Sequence, residues 1–167
     1  MKHTRVALAA LLLTCVAPVA AAQSVLFVVR HAERADAGEK SMKGADPSLS
    51  PAGESRAQRL ASILRSEHIK KIFVTEFKRT RQTAEPTAKA QRVTIETTPA
   101  KDVDALIAKL AATDGPALVV GHSDTIADIL KGLGVKENVR IGDKEYDNLF
   151  VVFGPGTRKP ALVKLRY

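Results

Sequence analysis

Short apolar runs alternate along this chain with longer segments whose apolar residues recur at helical spacing. The runs are Val25 to Val29, Ile72 to Val74, Val93 to Ile95 and Ala117 to Val120, and the longer of them are continuously apolar. A strand of that kind is buried on both faces, as in a parallel sheet covered by helices. The helices come from the intervening segments: Ala57 to Leu64, Thr80 to Ala90, Val103 to Leu110 and Ile126 to Leu133. Strand followed by helix, repeated, predicts an α/β fold of three layers, with a mostly parallel central sheet flanked by helices. The last two runs, Leu149 to Phe153 and Ala161 to Leu165, bracket Gly154-Pro155-Gly156. They predict an antiparallel hairpin at the sheet edge at the C-terminus.

Local signals sharpen the boundaries. Ser50 followed by Pro51 reads as an N-cap and a first-turn proline, and Asp102 is placed to cap the Val103 helix. The stretch Arg34 to Ser48 is polar, holds Gly38, Gly44 and Pro47, and follows the first strand, which predicts a mobile loop.

The chain opens differently. Lys2, His3 and Arg5 precede an apolar run from Val6 to Val16, then Pro18 and the small residues Ala20-Ala21-Ala22. This is the three-part pattern of a secretory signal peptide, so residues 1–22 are expected to be removed before Gln23 and the product to be periplasmic or secreted. The apolar run is well short of the roughly 20 residues that span a bilayer, so no transmembrane segment is expected after cleavage. Cys15 follows Leu13-Thr14 rather than the smaller residue a lipoprotein signal would place there, which disfavours a lipid anchor. Residues 23–167 then form one domain of ordinary size, without cysteine and expected to be a monomer.

Charge narrows the partners. The chain holds 26 Lys and Arg against 18 Asp and Glu, a net +8, which favours anionic substrates. With two Tyr, five Phe and no Trp, platforms for stacking bases are scarce, so nucleic acid is not the expected partner.

Ligands of open α/β sheets bind at the carboxyl ends of the strands. Val28-Val29-Arg30-His31 and Val119-Val120-Gly121-His122 each place a histidine there, whereas His68 lies near a helix end, where it would serve as a charge partner. The third strand end leads into Lys78-Arg79-Thr80-Arg81, three cations crowding a helix start. That cluster either faces a bound anion or is a solvated basic face. Taken together, His31, His122, Arg30 and at least one of Arg79 and Arg81 can converge on one phosphate dianion. No dinucleotide or P-loop glycine pattern, no Gly-x-Ser-x-Gly elbow and no His-Glu-x-x-His spacing is present, so neither a metal nor a cofactor is expected.

Four segments, in order, resemble the histidine phosphatase superfamily. Arg30-His31-Ala32-Glu33 is similar to its Arg-His-Gly signature, in the Arg-His-Ala form of small members such as phosphohistidine phosphatases. Leu49-Ser50-Pro51-Ala52-Gly53-Glu54 is similar to its Leu-Thr-x-x-Gly helix start. Thr75 to Ala84 resembles Ser-Pro-Leu-x-Arg-Ala-x-Gln-Thr-Ala, and Gly121-His122-Ser123-Asp124-Thr125 resembles the late Gly-His segment. The resemblance implies a metal-independent phosphatase in which His31 is the nucleophile, Arg30 and Arg79 bind the phosphoryl oxygens and His122 completes the pocket. The substrate would be a phosphorylated small molecule or an exposed phosphoryl group on a larger one. A non-catalytic phosphate-binding module on the same fold is the alternative.

The sequence departs from the family between Gln82 and Gly121, which is short. Neither Glu85 nor Glu96 there is identifiable as the general acid of larger members. Asp124 is the candidate for that role, or else an N-cap for the segment starting at Thr125. Glu33 is read as orienting Arg30 or capping a turn. The short connection also leaves no lid, which implies an open, shallow site.

Overall fold

The computed structural model describes residues 25–36 and 46–167. The predicted leader, its cleavage point before Gln23 and Cys15 lie outside those residues, as does the middle of the predicted loop, 37–45.

Six strands form one sheet in the order β3-β2-β4-β1-β5-β6. They are β1 (Val25–Arg30), β2 (Lys71–Val74), β3 (Ile95–Thr97), β4 (Ala117–Gly121), β5 (Asn148–Phe153) and β6 (Ala161–Arg166). The first four are mutually parallel, β5 runs antiparallel beside β1, and β6 closes the hairpin at the edge. Gly154 and Gly156 carry the turn with φ of 60° and 74°, a region that strains any side chain with a Cβ.

The continuously apolar strands are explained by what lies on each side. Alternate residues feed two cores. Leu26, Val28, Phe73, Val119, Phe150 and Val152 face α3 (Val103–Ala111) and α4 (Ile126–Gly132), which contribute Leu106, Leu110, Ile126, Ile129 and Leu130. Phe27, Val29, Ile72, Val74, Leu118, Val120 and Val151 face α1 (Pro51–Ile63) and α2 (Lys78–Gln91), which contribute Leu60, Ala84 and Ala88. This is the three-layer α/β architecture expected from the pattern.

Two boundaries differ from the sequence reading. The strand expected over Val93 to Ile95 begins only at Ile95, because α2 is closed by Arg92 in the left-handed region (φ 57°) and by Val93 N–H donating to the Ala88 carbonyl at 3.0 Å. That cap consumes the first apolar residue of the run. At the other end, α2 starts at Lys78, where the backbone N–H donates to both oxygens of the Asp46 carboxylate at 3.0 and 3.1 Å. An acid from the distant loop thus offsets the cations at this helix start. The described ends of that loop are held rather than loose: Arg34 and Leu49 form an antiparallel bridge, and Ala35 N–H donates to the Ser48 carbonyl at 2.9 Å.

α1 begins as expected, with the Ser50 hydroxyl accepting from Gly53 N–H at 3.1 Å and Pro51 in the first turn. A Cβ on Gly53 would collide with the Glu33 backbone carbonyl, so only glycine lets this turn approach the segment after β1. Asp102 caps α3 through Ala105 N–H at 3.0 Å. Among the described residues no helix is long and apolar enough to cross a membrane.

Candidate functional site

The register of the two central strands builds the site. Arg30 of β1 lies opposite Gly121 of β4, and His31 N–H donates to the Gly121 carbonyl at 2.9 Å, extending the ladder by one residue. The next residue on each strand is therefore a histidine, and the two rings meet edge to face with centroids 5.3 Å apart. Both are buried, His31 at 4% exposure and His122 at 7%.

His31 Nδ1 is 2.7 Å from the Ala32 carbonyl. A carbonyl only accepts, so Nδ1 carries the proton and Nε2 is left with a bare lone pair. Burial pushes the His31 pKa down to about 3, and the charges of His122, Arg79 and Arg30 act in the same direction. The imidazole is neutral at physiological pH, the form required of a nucleophile. His122 Nε2 is 2.9 Å from the Thr75 hydroxyl, and its Nδ1 is 3.4 Å from Arg79 Nη2. Burial, and next the Arg79 charge, lower its pKa to about 4, while Asp124 and Glu76 oppose the shift.

The two arginines are fixed in different ways. Arg30 Nη1 donates to the carbonyls of Gly142, Asp143 and Glu145 at 3.0, 2.9 and 3.1 Å, and its guanidinium carbon lies 4.0 Å from the centre of the Tyr146 ring. Glu145 and Asp147 are in turn tied to Arg166 of β6 at 3.2 and 2.6 Å, so the edge strand braces the loop that holds Arg30. Arg79 stacks on Phe77 at 4.2 Å and has Asp46 3.8 Å from Nη1. Burial, and next the Arg34 charge, lower the Arg79 pKa, while Asp46, Asp36 and Asp124 oppose the shift. The Nε–H groups of both arginines are buried without a partner among the described residues. Two planar donors thus keep part of their hydrogen-bonding edge in reserve.

The remaining parts of the Thr75 to Ala84 segment hold these groups in place. Thr83 Oγ1 accepts from Ala32 N–H at 2.9 Å and donates to the Arg79 carbonyl at 2.7 Å, joining the loop after β1 to α2. Gln82 accepts from Leu49 N–H at 2.9 Å.

The sequence model of the histidine phosphatase superfamily (branch 1) matches residues 26–102, the span that contains Arg30, His31 and Arg79. Over that span the chain is similar to the histidine phosphatase superfamily. Solved structures agree on the fold. The chain is similar to the protein histidine phosphatase SixA complexed with tungstate (18% identity, TM-score 0.68, covering 85% of this chain and 96% of that one). It is similar to a mycobacterial glucosyl-3-phosphoglycerate phosphatase in complex with VO3 (16%, TM-score 0.61, covering 77% and 90%). A phosphoserine phosphatase from Entamoeba histolytica in complex with 3-phosphoglyceric acid is a third neighbour (15%, TM-score 0.63, covering 86% and 97%). None of the curated proteins compared with the sequence matches it.

In this chain Arg30, His31, Arg79 and His122 line one cleft of about 640 Å³, with Arg34, Phe77, Lys101, Ser123, Asp124 and Asp128 among the other walls. Asp124 is exposed on that wall and is not an N-cap: α4 starts at Ile126 behind Thr125, whose hydroxyl instead accepts from His122 N–H at 3.1 Å. Arg81 points away and donates to the Thr97 hydroxyl at 3.1 Å. Glu96 pairs with Lys109 at 2.7 Å and Glu85 lines a groove beside α1, so neither reaches the cleft. Glu33 neither orients Arg30 nor caps a turn. It forms a bidentate pair with Arg56 of α1, whose Nη1 also donates to the Tyr167 carbonyl at 3.0 Å. His68 is exposed, past the end of the helical turn that follows α1, and does not line the cleft.

Arg34, Lys101, Phe77 and Tyr146 were not singled out from the sequence as site residues. For Arg34 a signal existed, a second arginine four residues after Arg30. For Tyr146 none did, since it is set against Arg30 only by the pairing of β5 with β1.

Proposed function

We propose that this protein is an exported phosphatase that hydrolyses a phosphomonoester or phosphohistidine through a phospho-His31 intermediate. The single observation that supports this best is the Nδ1 hydrogen bond of His31 to the Ala32 carbonyl, which leaves a bare Nε2 on a buried ring that shares one cleft with Arg30 and Arg79. In the first step the Nε2 lone pair forms a bond to phosphorus while the bond to the leaving oxygen or nitrogen breaks. The electron pair departs with that atom, which takes up a proton. Arg30 and Arg79 neutralise the charge on the non-bridging oxygens, their stacked positions sparing the cost of reorganisation. In the second step water adds to phosphorus, the P–N bond breaks and its pair returns to Nε2. Asp124, on the cleft wall, is the group we assign to exchanging the proton with the leaving atom and then with water. The guanidinium groups supply the positive charge, so the reaction is read as metal-independent. The open cleft suits a bulky or exposed phosphoryl group. The N-terminal pattern supports export, and mass spectrometry of the exported form should find Gln23 at or near its start.

The test is a labelled aryl phosphate. Alkaline quenching should retain label on the protein and acid quenching should lose it, because phosphohistidine is acid-labile. His31→Ala should abolish the label, and chelator should leave the rate unchanged. Label persisting in His31→Ala, or activity lost to chelator and restored by metal, would overturn the reading. A protein that binds phosphate but never acquires label would be the non-catalytic module.

A further inference from the structure

The hydroxyl groups beneath His122 form a chain whose direction is set from both ends. At the inner end Thr80 Oγ1 lies 2.8 Å from the Phe77 carbonyl and 3.2 Å from that of Thr75. Both carbonyls only accept, so the Thr80 hydroxyl donates its proton there and accepts from Thr75 Oγ1, 3.0 Å away. The Thr75 hydroxyl, its one proton committed to Thr80, must accept from His122 Nε2 at 2.9 Å. At the outer end Arg79 Nη2 is a donor, so the His122 Nδ1 facing it must be the unprotonated nitrogen. The two ends agree on one tautomer. Thr80 is wholly buried, so water does not compete for its hydroxyl.

We propose that Thr75 is a positioning residue that holds His122 with its proton on Nε2, so that Nδ1 takes up a proton from solvent when a phosphoryl group binds and the resulting Nδ1–H donates a hydrogen bond to a phosphoryl oxygen. The inference rests on the phosphate-site reading above and extends it to how the second histidine works. In the occupied site both N–H groups of the imidazolium are received, Nε2–H by Thr75 and Nδ1–H by the phosphoryl oxygen. The ring thereby adds a positive charge beside Arg79 only when the anion's charge is there to balance it. Without the hydroxyl, a protonated His122 would bury an N–H with no acceptor, and the neutral tautomer with hydrogen on Nδ1 would replace it. That tautomer also sets two donors, Nδ1–H and Arg79 Nη2, against each other.

The experiment uses the isosteric Thr75→Val, with Thr75→Ser as the rescue variant. Nitrogen-15 imidazole spectra at neutral pH should show His122 in the Nε2–H tautomer in the parent and in Thr75→Ser, and a shift towards Nδ1–H in Thr75→Val. Calorimetry with inorganic phosphate, in buffers of different ionisation enthalpy, counts the protons taken up. The parent and Thr75→Ser should take up more than Thr75→Val, which should also bind phosphate roughly tenfold more weakly. A parent His122 with hydrogen on Nδ1, or a Thr75→Val variant equal to the parent in proton uptake and affinity, would overturn the proposal. Neither readout requires turnover: a protein that binds phosphate in this way yet hydrolyses nothing would sink the phosphatase reading and leave this one standing.

Discussion

Arg79 and Arg81 stand one helical residue pair apart at the start of α2 and offer a matched test of the site. Arg79 has only 12% of its side chain exposed, is stacked on Phe77, and keeps a buried Nε–H without a partner among the described residues. Arg81 is exposed and turned towards Thr97. On the proposed reading, replacing Arg79 by Ala removes a charge-assisted donor to the equatorial oxygens, a loss of about 3 kcal/mol in the transition state and hence on the order of a hundredfold in kcat/KM. Arg81→Ala removes one exposed hydrogen bond and should change the rate less than about threefold. Arg79→Lys should recover little, because a point charge neither stacks on Phe77 nor presents a planar edge. The assay is steady-state hydrolysis of an aryl phosphate by the three variants, with thermal unfolding to show that each is folded. Equal modest losses in Arg79→Ala and Arg81→Ala would refute the geometry, and so would full rescue by lysine.

Gly53→Ala sets two effects against each other: alanine gains up to about 1 kcal/mol of helix propensity over glycine, but the collision with the Glu33 carbonyl costs about 1–3 kcal/mol. A net fall in the unfolding midpoint is expected, and a rise would show that α1 can back away. Protons give a third prediction. Both cleft histidines have pKa values lowered from 6.5, to about 3 and about 4. Below pH 6.5 the unfolded chain therefore takes up protons that the folded chain does not, and stability falls as pH drops from there towards 4, by up to about 1.4 kcal/mol per pH unit for each histidine. Urea unfolding from pH 7 to 4 should show this slope, and His122→Asn should reduce it. An unchanged slope would mean that the buried rings are not its source.

Much of the molecule is written locally. Continuous apolar strands, the Ser50-Pro51 helix start and the Asp102 cap arise from side-chain hydrophobicity and short-range hydrogen bonding, which operate within a few residues, and they appear where the chain predicted them. The placing of His31 and His122 at strand ends is local in the same sense. Their meeting required only that β1 and β4 pair in the register Arg30 to Gly121.

What tertiary structure alone decided are the groups that hold these residues in working form. Arg30 is clasped by three backbone carbonyls more than a hundred residues away, and a carbonyl has no signature in sequence because every residue carries one. Glu33 found Arg56 and Arg56 the Tyr167 carbonyl because α1 packs beside the chain's end, and Asp46 reached the start of α2 from the loop before α1. The Thr75–Thr80 hydroxyl chain joins residues five apart, yet its meaning depends on His122 arriving from another strand. The sequence by itself determined which side chains bring the chemistry to the strand ends. The sheet order, which sets β5 beside β1 and β4 between β1 and β2, decided which backbone and hydroxyl groups orient them, since those contacts exist only after distant segments are packed together.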